Sequence, residues 1–206
     1  MPACPPSARA VGRQLAGLGF AVVESVDKTR GETAAAIAEF ARRLREAPGA
    51  RVVVYACGPI AELEGRAFIL PSSATLDRPT DVLTQGVLLR SLPDMLVQGR
   101  VGAALFALDA FTETPRLPAL PAPSGDAALG LILSSQAGRE GQRTALASAL
   151  LGELVEPAAT GADVGTLLTR LQARLEGEAG RPQHRVERPS AAVALLPAPP
   201  PADPAP

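Results

Sequence analysis

Two short, uninterrupted apolar runs constrain the fold of this chain most strongly. Residues 51–55 read Arg-Val-Val-Val-Tyr, and residues 102–108 read Gly-Ala-Ala-Leu-Phe-Ala-Leu. Apolar runs of this length, without polar alternation, are typical of strands that are covered on both faces of a parallel sheet. Because a helical pattern precedes each run, the sequence predicts an α/β fold.

Strand and helix patterns alternate along the rest of the chain. The strands are predicted at residues 20–26, 51–55, 66–70, 102–108 and 128–134, and the helices at residues 8–18, 29–45, 84–97, 142–155 and 163–178. Ser7, Thr29 with Glu32, and Asp163 are the predicted helix caps. This order predicts a mostly parallel, doubly wound sheet, with chemistry beyond the carboxyl ends of the strands, after Tyr55 and Leu108.

Composition divides the chain into three parts. Residues 1–6 form a short proline-rich N-terminus, and residues 7–188 are predicted to form a single α/β domain. Seven of the 18 residues from 189 to 206 are proline. Proline interrupts helices and central strands, so this last part is predicted to be an extended or disordered tail.

Charge and composition exclude several classes of function. The 20 basic and 21 acidic residues give a net charge of −1, which does not suit a nucleic-acid groove. No apolar run is long enough to span a membrane and no signal peptide is recognisable, so a cytoplasmic protein is expected. Cys4, Cys57 and His184 cannot by themselves supply four zinc ligands, and they predict no disulfide framework. No phosphate-binding glycine motif is present, so no cofactor is expected.

Three stretches after the predicted strands carry a resemblance. They read Tyr55-Ala56-Cys57-Gly58-Pro59, Gly65-Arg66-Ala67-Phe68-Ile69-Leu70-Pro71 and Leu108-Asp109-Ala110-Phe111-Thr112-Glu113. In these motifs and in their order, roughly residues 8–190 resemble the caspase-like cysteine peptidases, especially bacterial caspase-domain and metacaspase-type proteins. The resemblance implies a sheet of caspase-haemoglobinase type.

The resemblance places the family's catalytic histidine at Gly58 and its catalytic cysteine at Phe111. These positions are 53 residues apart, close to the roughly 50 residues between the two in caspases. Glycine has no side chain to accept a proton, and a phenyl ring has no nucleophilic atom. The chain is therefore predicted to be a pseudoprotease without a catalytic dyad. It would act by binding, as a scaffold or regulator of a protein or peptide partner such as an active caspase-like relative.

Asp109 holds a position that lines the pocket for a basic P1 side chain in arginine-cutting relatives. The resemblance therefore implies a remnant of that pocket at Asp109. The alternative is a carboxylate at a strand end that is solvated or caps a neighbouring backbone group.

A divergent hydrolase with a relocated nucleophile is the alternative function. Cys57 could serve, although a small buried side chain at a strand end is the simpler interpretation. Cys4 is predicted to be an exposed thiol, and His184 to be solvated in a charged, exposed loop. Ser134 and Ser135 end a strand, but the sequence indicates no base beside them.

The family's first strand has no counterpart before the first predicted helix. In relatives this strand lies between the strands that correspond here to residues 20–26 and 51–55, and without it both would present unpaired backbone groups. Three alternatives follow: the sheet closes directly, a partner donates a strand, or translation starts further upstream.

Overall fold

The structure is a computed structural model, which describes residues 2–112, 117–118, 120, 128–136, 143–155, 161–178 and 182–196. Its helices are α1 (Cys4–Gly17), α2 (Arg30–Glu46), α3 (Val82–Gln85), α4 (Ser91–Gln98), α5 (Ala145–Val155) and α6 (Val164–Gly177), and a 3-10 turn spans Pro79–Asp81. Its strands are β1 (Arg51–Leu63), β2 (Arg66–Ile69), β3 (Val87–Leu88), β4 (Ala103–Phe111), β5 (Leu129–Gln136) and β6 (Gln183–Glu187).

The six strands form one open sheet in the order β3-β2-β1-β4-β5-β6. Its three central strands are parallel, since β4 pairs in parallel with both β1 and β5. The flanking strands β2, β3 and β6 add antiparallel edges. The predicted α/β, doubly wound architecture is therefore confirmed, with a mixed sheet around a parallel centre.

Strand β4 is the centre of the core, and each of its residues is at most 3% exposed. Because side chains alternate across a sheet, its odd-numbered residues face one helical layer and its even-numbered residues face the other. Leu105 packs with helices α1, α5 and α6. Phe106 packs with Leu44 of α2 and Leu96 of α4 on the opposite face. Burial on both faces explains why this run reads as continuously apolar.

The predicted caps of two helices are confirmed, because the side chains bond as the sequence pattern requires. The Thr29 hydroxyl accepts from the Glu32 backbone N–H at 3.3 Å, and the Glu32 carboxylate accepts from the Thr29 backbone N–H at 3.0 Å. Asp163 caps α6 by accepting from the Thr166 N–H at 2.9 Å. These bonds satisfy N–H groups that have no partner within the helix.

The predicted strand at residues 20–26 is wrong, since these residues belong to no helix or strand. Phe20 donates its backbone N–H to Leu15. Within the described chain no backbone hydrogen bond is made by residues 21–26. A cavity separates them from β1, so the pattern for a strand is present but the neighbouring strand is not. Among the described residues, therefore, the sheet does not close directly.

Other boundaries differ where packing overrides the local pattern. Helix α1 begins at Cys4 rather than after Ser7, because Pro5 and Pro6 occupy its first turn, where backbone N–H groups need no helical partner. The helix expected at 84–97 is divided between α3, β3 and α4. Gly86 lies at the break, and an added Cβ there would come within 2.9 Å of the Phe68 Cβ on β2.

The first part of the predicted extended or disordered tail, which begins at residue 189, is packed against the domain. Leu195 and Leu196 are at most 1% exposed and belong to the core on the α1, α5 and α6 face. Leu195 donates its N–H to Ala162, and Ala194 forms an isolated bridge with Asp163. Two apolar side chains outweigh the local proline signal here. Residues 197–206 lie outside the described residues.

Candidate functional site

The carboxyl ends of the parallel strands are where the sequence places the site. Gly58 of β1 pairs with Ala110 of β4, and Pro59 pairs with Phe111. Gly58 and Phe111 are thus neighbours on adjacent strands, one register position apart. Because side chains alternate between faces, these two positions point to opposite faces of the sheet. Side chains placed there would not face each other as a nucleophile and its base must.

Position 58 has little room for a larger side chain. A Cβ on Gly58 would lie 3.1 Å from Ile69 Cγ1 and 3.4 Å from the Leu70 carbonyl oxygen. Strand β1 continues past this point to Leu63 and turns into β2 through Gly65, whose φ is 72°. The residues that follow Gly58 therefore extend the sheet rather than open a catalytic loop.

Both cysteines are engaged in a disulfide, which corrects the expectations for each of them. Cys4 at the start of α1 is bonded to Cys57 of β1, with their Cα atoms 5.4 Å apart. Cys4 is buried rather than exposed, and Cys57 is not a free buried thiol. Two cysteines are too few for a disulfide framework, but they are enough for a single disulfide bond. A disulfide sulfur has no thiolate to attack a carbonyl carbon.

Asp109 lies at the centre of a buried hydrogen-bond network, so the expectation that it is solvated is wrong. Its side chain is fully buried. Its Oδ2 accepts from the hydroxyls of Tyr55 and Thr144, each at 2.6 Å. The P1-pocket role of Asp109 stays a prediction, and the carboxyl group would have to give up these hydroxyls to receive a guanidinium group.

The network continues into two helices. Thr144 donates its backbone N–H to the Ser7 hydroxyl at 3.0 Å, and the Ser7 hydroxyl donates to the Ala3 carbonyl at 2.6 Å. Thr144 Oγ1 also accepts from the Ala147 N–H in the first turn of α5. Burial and the adjacent Asp109 carboxylate raise the pKa of the Tyr55 phenol, so it remains a donor at physiological pH. The network ties α1, α5, β1 and β4 together.

Sequence reasoning missed Tyr55, Thr144 and Ser7 as members of this network. The available signal was that Tyr55 and Asp109 interrupt two otherwise apolar, buried strands. A buried polar group needs a partner, and the parallel register brings these two strands together. Thr144 and Ser7 could not be assigned, because their positions depend on how α5 and α1 pack.

Three residues of the types found in a catalytic triad lie side by side on one face of the sheet, on neighbouring strands. Asp109 of β4 pairs with Ser134 of β5, and Ser134 pairs with His184 of β6. His184 lies on a strand with 17% of its side chain exposed, so its expected place in an exposed loop is wrong. Ser134 is fully buried, and its hydroxyl has no hydrogen-bond partner in the part of the chain that the structure describes.

These three residues do not have the connectivity of a catalytic triad. A triad needs a histidine between the serine and the acid, with one ring nitrogen bonded to each. Here Ser134 lies between Asp109 and His184. His184 Nδ1 is 3.1 Å from the Pro182 carbonyl oxygen, and its Nε2 is 3.7 Å from Glu176 Oε1. Ser135 bonds Thr112 instead, with 3.2 Å between the hydroxyl oxygens.

The described ranges contain neither a metal-binding cluster nor a membrane-spanning helix. No group of three or more His, Cys, Asp or Glu side chains is arranged there to hold a metal ion. Of the helices in those ranges, none has both the length and the apolar character needed to cross a bilayer. Glu113, which the resemblance includes, lies outside the described residues.

Comparisons with known proteins support the fold alone. No family model matches the chain, and no curated protein matches it. Among solved structures, it is similar to protein GSU0716 from Geobacter sulfurreducens, with a TM-score of 0.58. That match has 13% sequence identity and covers 97% of this chain and 89% of the other. The shared feature is the open α/β sheet.

Proposed function

We propose that this chain is a non-catalytic binding protein related to the caspase-like peptidases, a pseudoprotease that acts as a scaffold or regulator. The observation that carries the proposal is the state of the strand ends. Gly58 and Phe111 supply no nucleophile or base, and the nearby Cys57 has no histidine beside it, because His184 lies on β6 with β4 and β5 between it and β1. Peptide cleavage through a cysteine needs a thiolate and a base in contact, and that pair is absent there whether Cys57 is oxidised or reduced.

The partner in this proposal is a protein or peptide, with an active caspase-like relative as one candidate. A cytoplasmic location also belongs to the proposal. In a reducing cytoplasm Cys4 and Cys57 would be expected as a dithiol, because glutathione and thioredoxin keep the cysteines of most cytoplasmic proteins reduced. The oxidised and reduced proteins should therefore both be assayed.

The test is hydrolysis of fluorogenic reporter peptides with arginine or aspartate at P1. The purified protein, oxidised or reduced, is expected to release no fluorophore above the rate in buffer alone, and a Cys57→Ala variant is expected to behave in the same way. Turnover by the reduced protein that this variant loses would refute the proposal and favour a relocated cysteine nucleophile.

A divergent serine hydrolase is the second candidate, and one observation favours it. The buried Ser134 hydroxyl lies opposite His184 without a hydrogen-bond partner among the described residues. A fluorophosphonate probe labels activated serines, so this candidate predicts labelling that Ser134→Ala abolishes. The proposed binding role predicts no labelling of either protein.

A further inference from the structure

One edge of β1 is open over most of its parallel half. Residues 51–59 pair with β4 on one side. On the other side β2 joins β1 only from Ile60 onward. Over the described part of the chain, no strand pairs with the outer edge of residues 51–58. Alternate residues of a strand direct their N–H and C=O groups to each edge, so this edge presents unpaired backbone groups that can accept another strand.

A second apolar segment faces this edge. Residues 20–26 read Phe-Ala-Val-Val-Glu-Ser-Val, a composition rich in β-branched residues. Val22 is 37% exposed, which is high for a residue of a strand-like apolar run. As described above, residues 21–26 make no backbone hydrogen bonds within the described chain. Both sides thus have the sequence and the free backbone groups of strands that lack a common neighbour.

A cavity of about 650 Å³ lies between residues 20–26 and β1. Residues 20–26 and β1 form two of its walls. Val11 and Leu15 of α1 line a third side, and Phe40 and Leu44 of α2 line the fourth. A strand is the element that fits a narrow space with apolar helices above and below and backbone groups on both sides. We name this space the strand slot.

The orientation of an added strand follows from the course of the chain. Helix α1 starts beside Cys57, through its disulfide, and ends near Phe20, which bonds Leu15. Residues 20–26 then return toward Cys57, since Val26 and Cys57 line the same neighbouring cavity. Residues 20–26 and β1 therefore run in the same direction. An inserted strand parallel to both would continue the parallel centre of the sheet.

Charge further restricts the occupant. Arg43 and Arg51 line the slot at the end where β1 begins, and both are exposed. Arg43 is paired with Glu39, with 2.7 Å between Nε and Oε1, so Arg51 is the cation that an occupant would meet. This guanidinium group favours an acidic residue at the N-terminal end of a parallel occupant. The rest of the lining is apolar except at Glu24 and Ser25, so the middle of the occupant should be apolar and free of proline, which cannot donate to a ladder.

No stretch outside the described residues has this sequence. Residues 113–127 and 197–206 are interrupted by prolines, and the remaining stretches are residue 1, 137–142, 156–160 and 179–181, which contain no apolar run of six residues. We propose that the strand slot binds an extended, apolar, proline-free segment of a partner polypeptide, parallel to β1, with an acidic residue at its N-terminal end. This inference rests on the proposed binding role and names its site and partner chemistry.

The test uses a synthetic probe peptide with one aspartate, seven alternating valine and alanine residues and two C-terminal lysines. Fluorescence anisotropy with a labelled peptide is expected to show saturable binding to the purified protein. The same peptide with proline at its central position should bind at least tenfold more weakly, because one substitution removes a ladder donor. Equal binding of the two peptides would overturn the proposal.

Hydrogen exchange locates the binding. The backbone amides of residues 52–56 that face the slot should exchange at least tenfold more slowly when the probe is bound. Val23→Asp, which places a carboxylate on an apolar wall of the slot, should weaken binding at least tenfold. Val155→Asp is the matched control, since Val155 is 69% exposed on α5 and does not line the slot.

Three results would contradict a partner in trans. Slow exchange of the slot-facing amides of residues 52–56 in the free protein at every concentration would mean that the edge is already paired. Protection that rises with protein concentration would assign the slot to a second copy. Loss of probe binding in a longer translation product would assign it to residues upstream of Met1. If the probe peptide does not bind and the reporter peptides are not cleaved, this inference is refuted and the proposed function is not. Cleavage of the reporter peptides refutes the proposed function.

Discussion

Reduction of the Cys4–Cys57 disulfide should destabilise the protein by an amount that the chain topology sets. The two cysteines are 53 residues apart in sequence. Closing a loop of this size removes conformational entropy from the unfolded chain, which is worth about 4 kcal/mol at 25 °C in the chain-entropy treatment. For a chain of this size, that free energy corresponds to a fall in Tm of about 10 °C.

The assay is urea denaturation of the oxidised protein and of the protein held in a reducing agent. The free energy of unfolding should fall by about 4 kcal/mol on reduction. The double variant Cys4→Ser, Cys57→Ser is the control, because its stability should not respond to the reducing agent. Its stability should be close to that of the reduced protein.

Two results would refute this reasoning. One is a difference of less than 1 kcal/mol between the oxidised and reduced proteins. The other is titration of two free thiols in protein that has been treated with a disulfide-forming oxidant and then unfolded without reductant. Either would mean that α1 and β1 are held together by packing and by the Ser7 network rather than by the covalent bond.

Three further predictions concern single side chains. Hydrogen bonds from the Thr29 backbone N–H and hydroxyl lower the pKa of Glu32 from 4.5 to about 2, so this contribution to stability is complete above pH 4.5 and is lost as the pH falls through about 2. Thr29→Ala removes the hydroxyl bond but keeps the backbone bond, so an NMR titration should show this pKa raised but still below 4.5. Gly130→Ala would place a Cβ 2.5 Å from two side chains of α6, and should destabilise the protein by about 1–3 kcal/mol in thermal unfolding. Tyr55→Phe removes a 2.6 Å donor from the buried Asp109 carboxyl group and should cost about 1.5–3 kcal/mol in urea denaturation; a cost below 0.5 kcal/mol would contradict the network.

The parts of the fold that sequence could predict are those fixed by local pattern. The apolar runs of β1 and β4 mark buried strands because burial on both faces leaves no polar period. The caps at Thr29 and Asp163 are bonds between residues three positions apart, so the spacing contains the information. Residues 20–26 show the limit, since a strand requires a neighbour that the local sequence does not specify.

The candidate site was predictable only in its location. The resemblance directs attention to Gly58, Phe111 and Asp109, and these do lie on adjacent strands, close to where the parallel pairing of β1 with β4 ends. That Gly58 and Phe111 face opposite ways follows from a one-residue register difference, which no single sequence reveals. The pairing of Cys4 with Cys57 and of Ser134 with His184 depends on how distant segments pack. Each of these pairings depends on a distance between two residues in the folded protein, which their spacing in the sequence does not give.

The burial of Leu195 and Leu196 has a practical consequence for protein production. Truncation before Pro189, the first proline of the C-terminal segment, would remove two leucines from the core and leave an apolar cavity near Asp163. A shortened protein should instead stop after Leu196. A purification tag should be placed after that residue, so that Leu195 and Leu196 stay packed in the core.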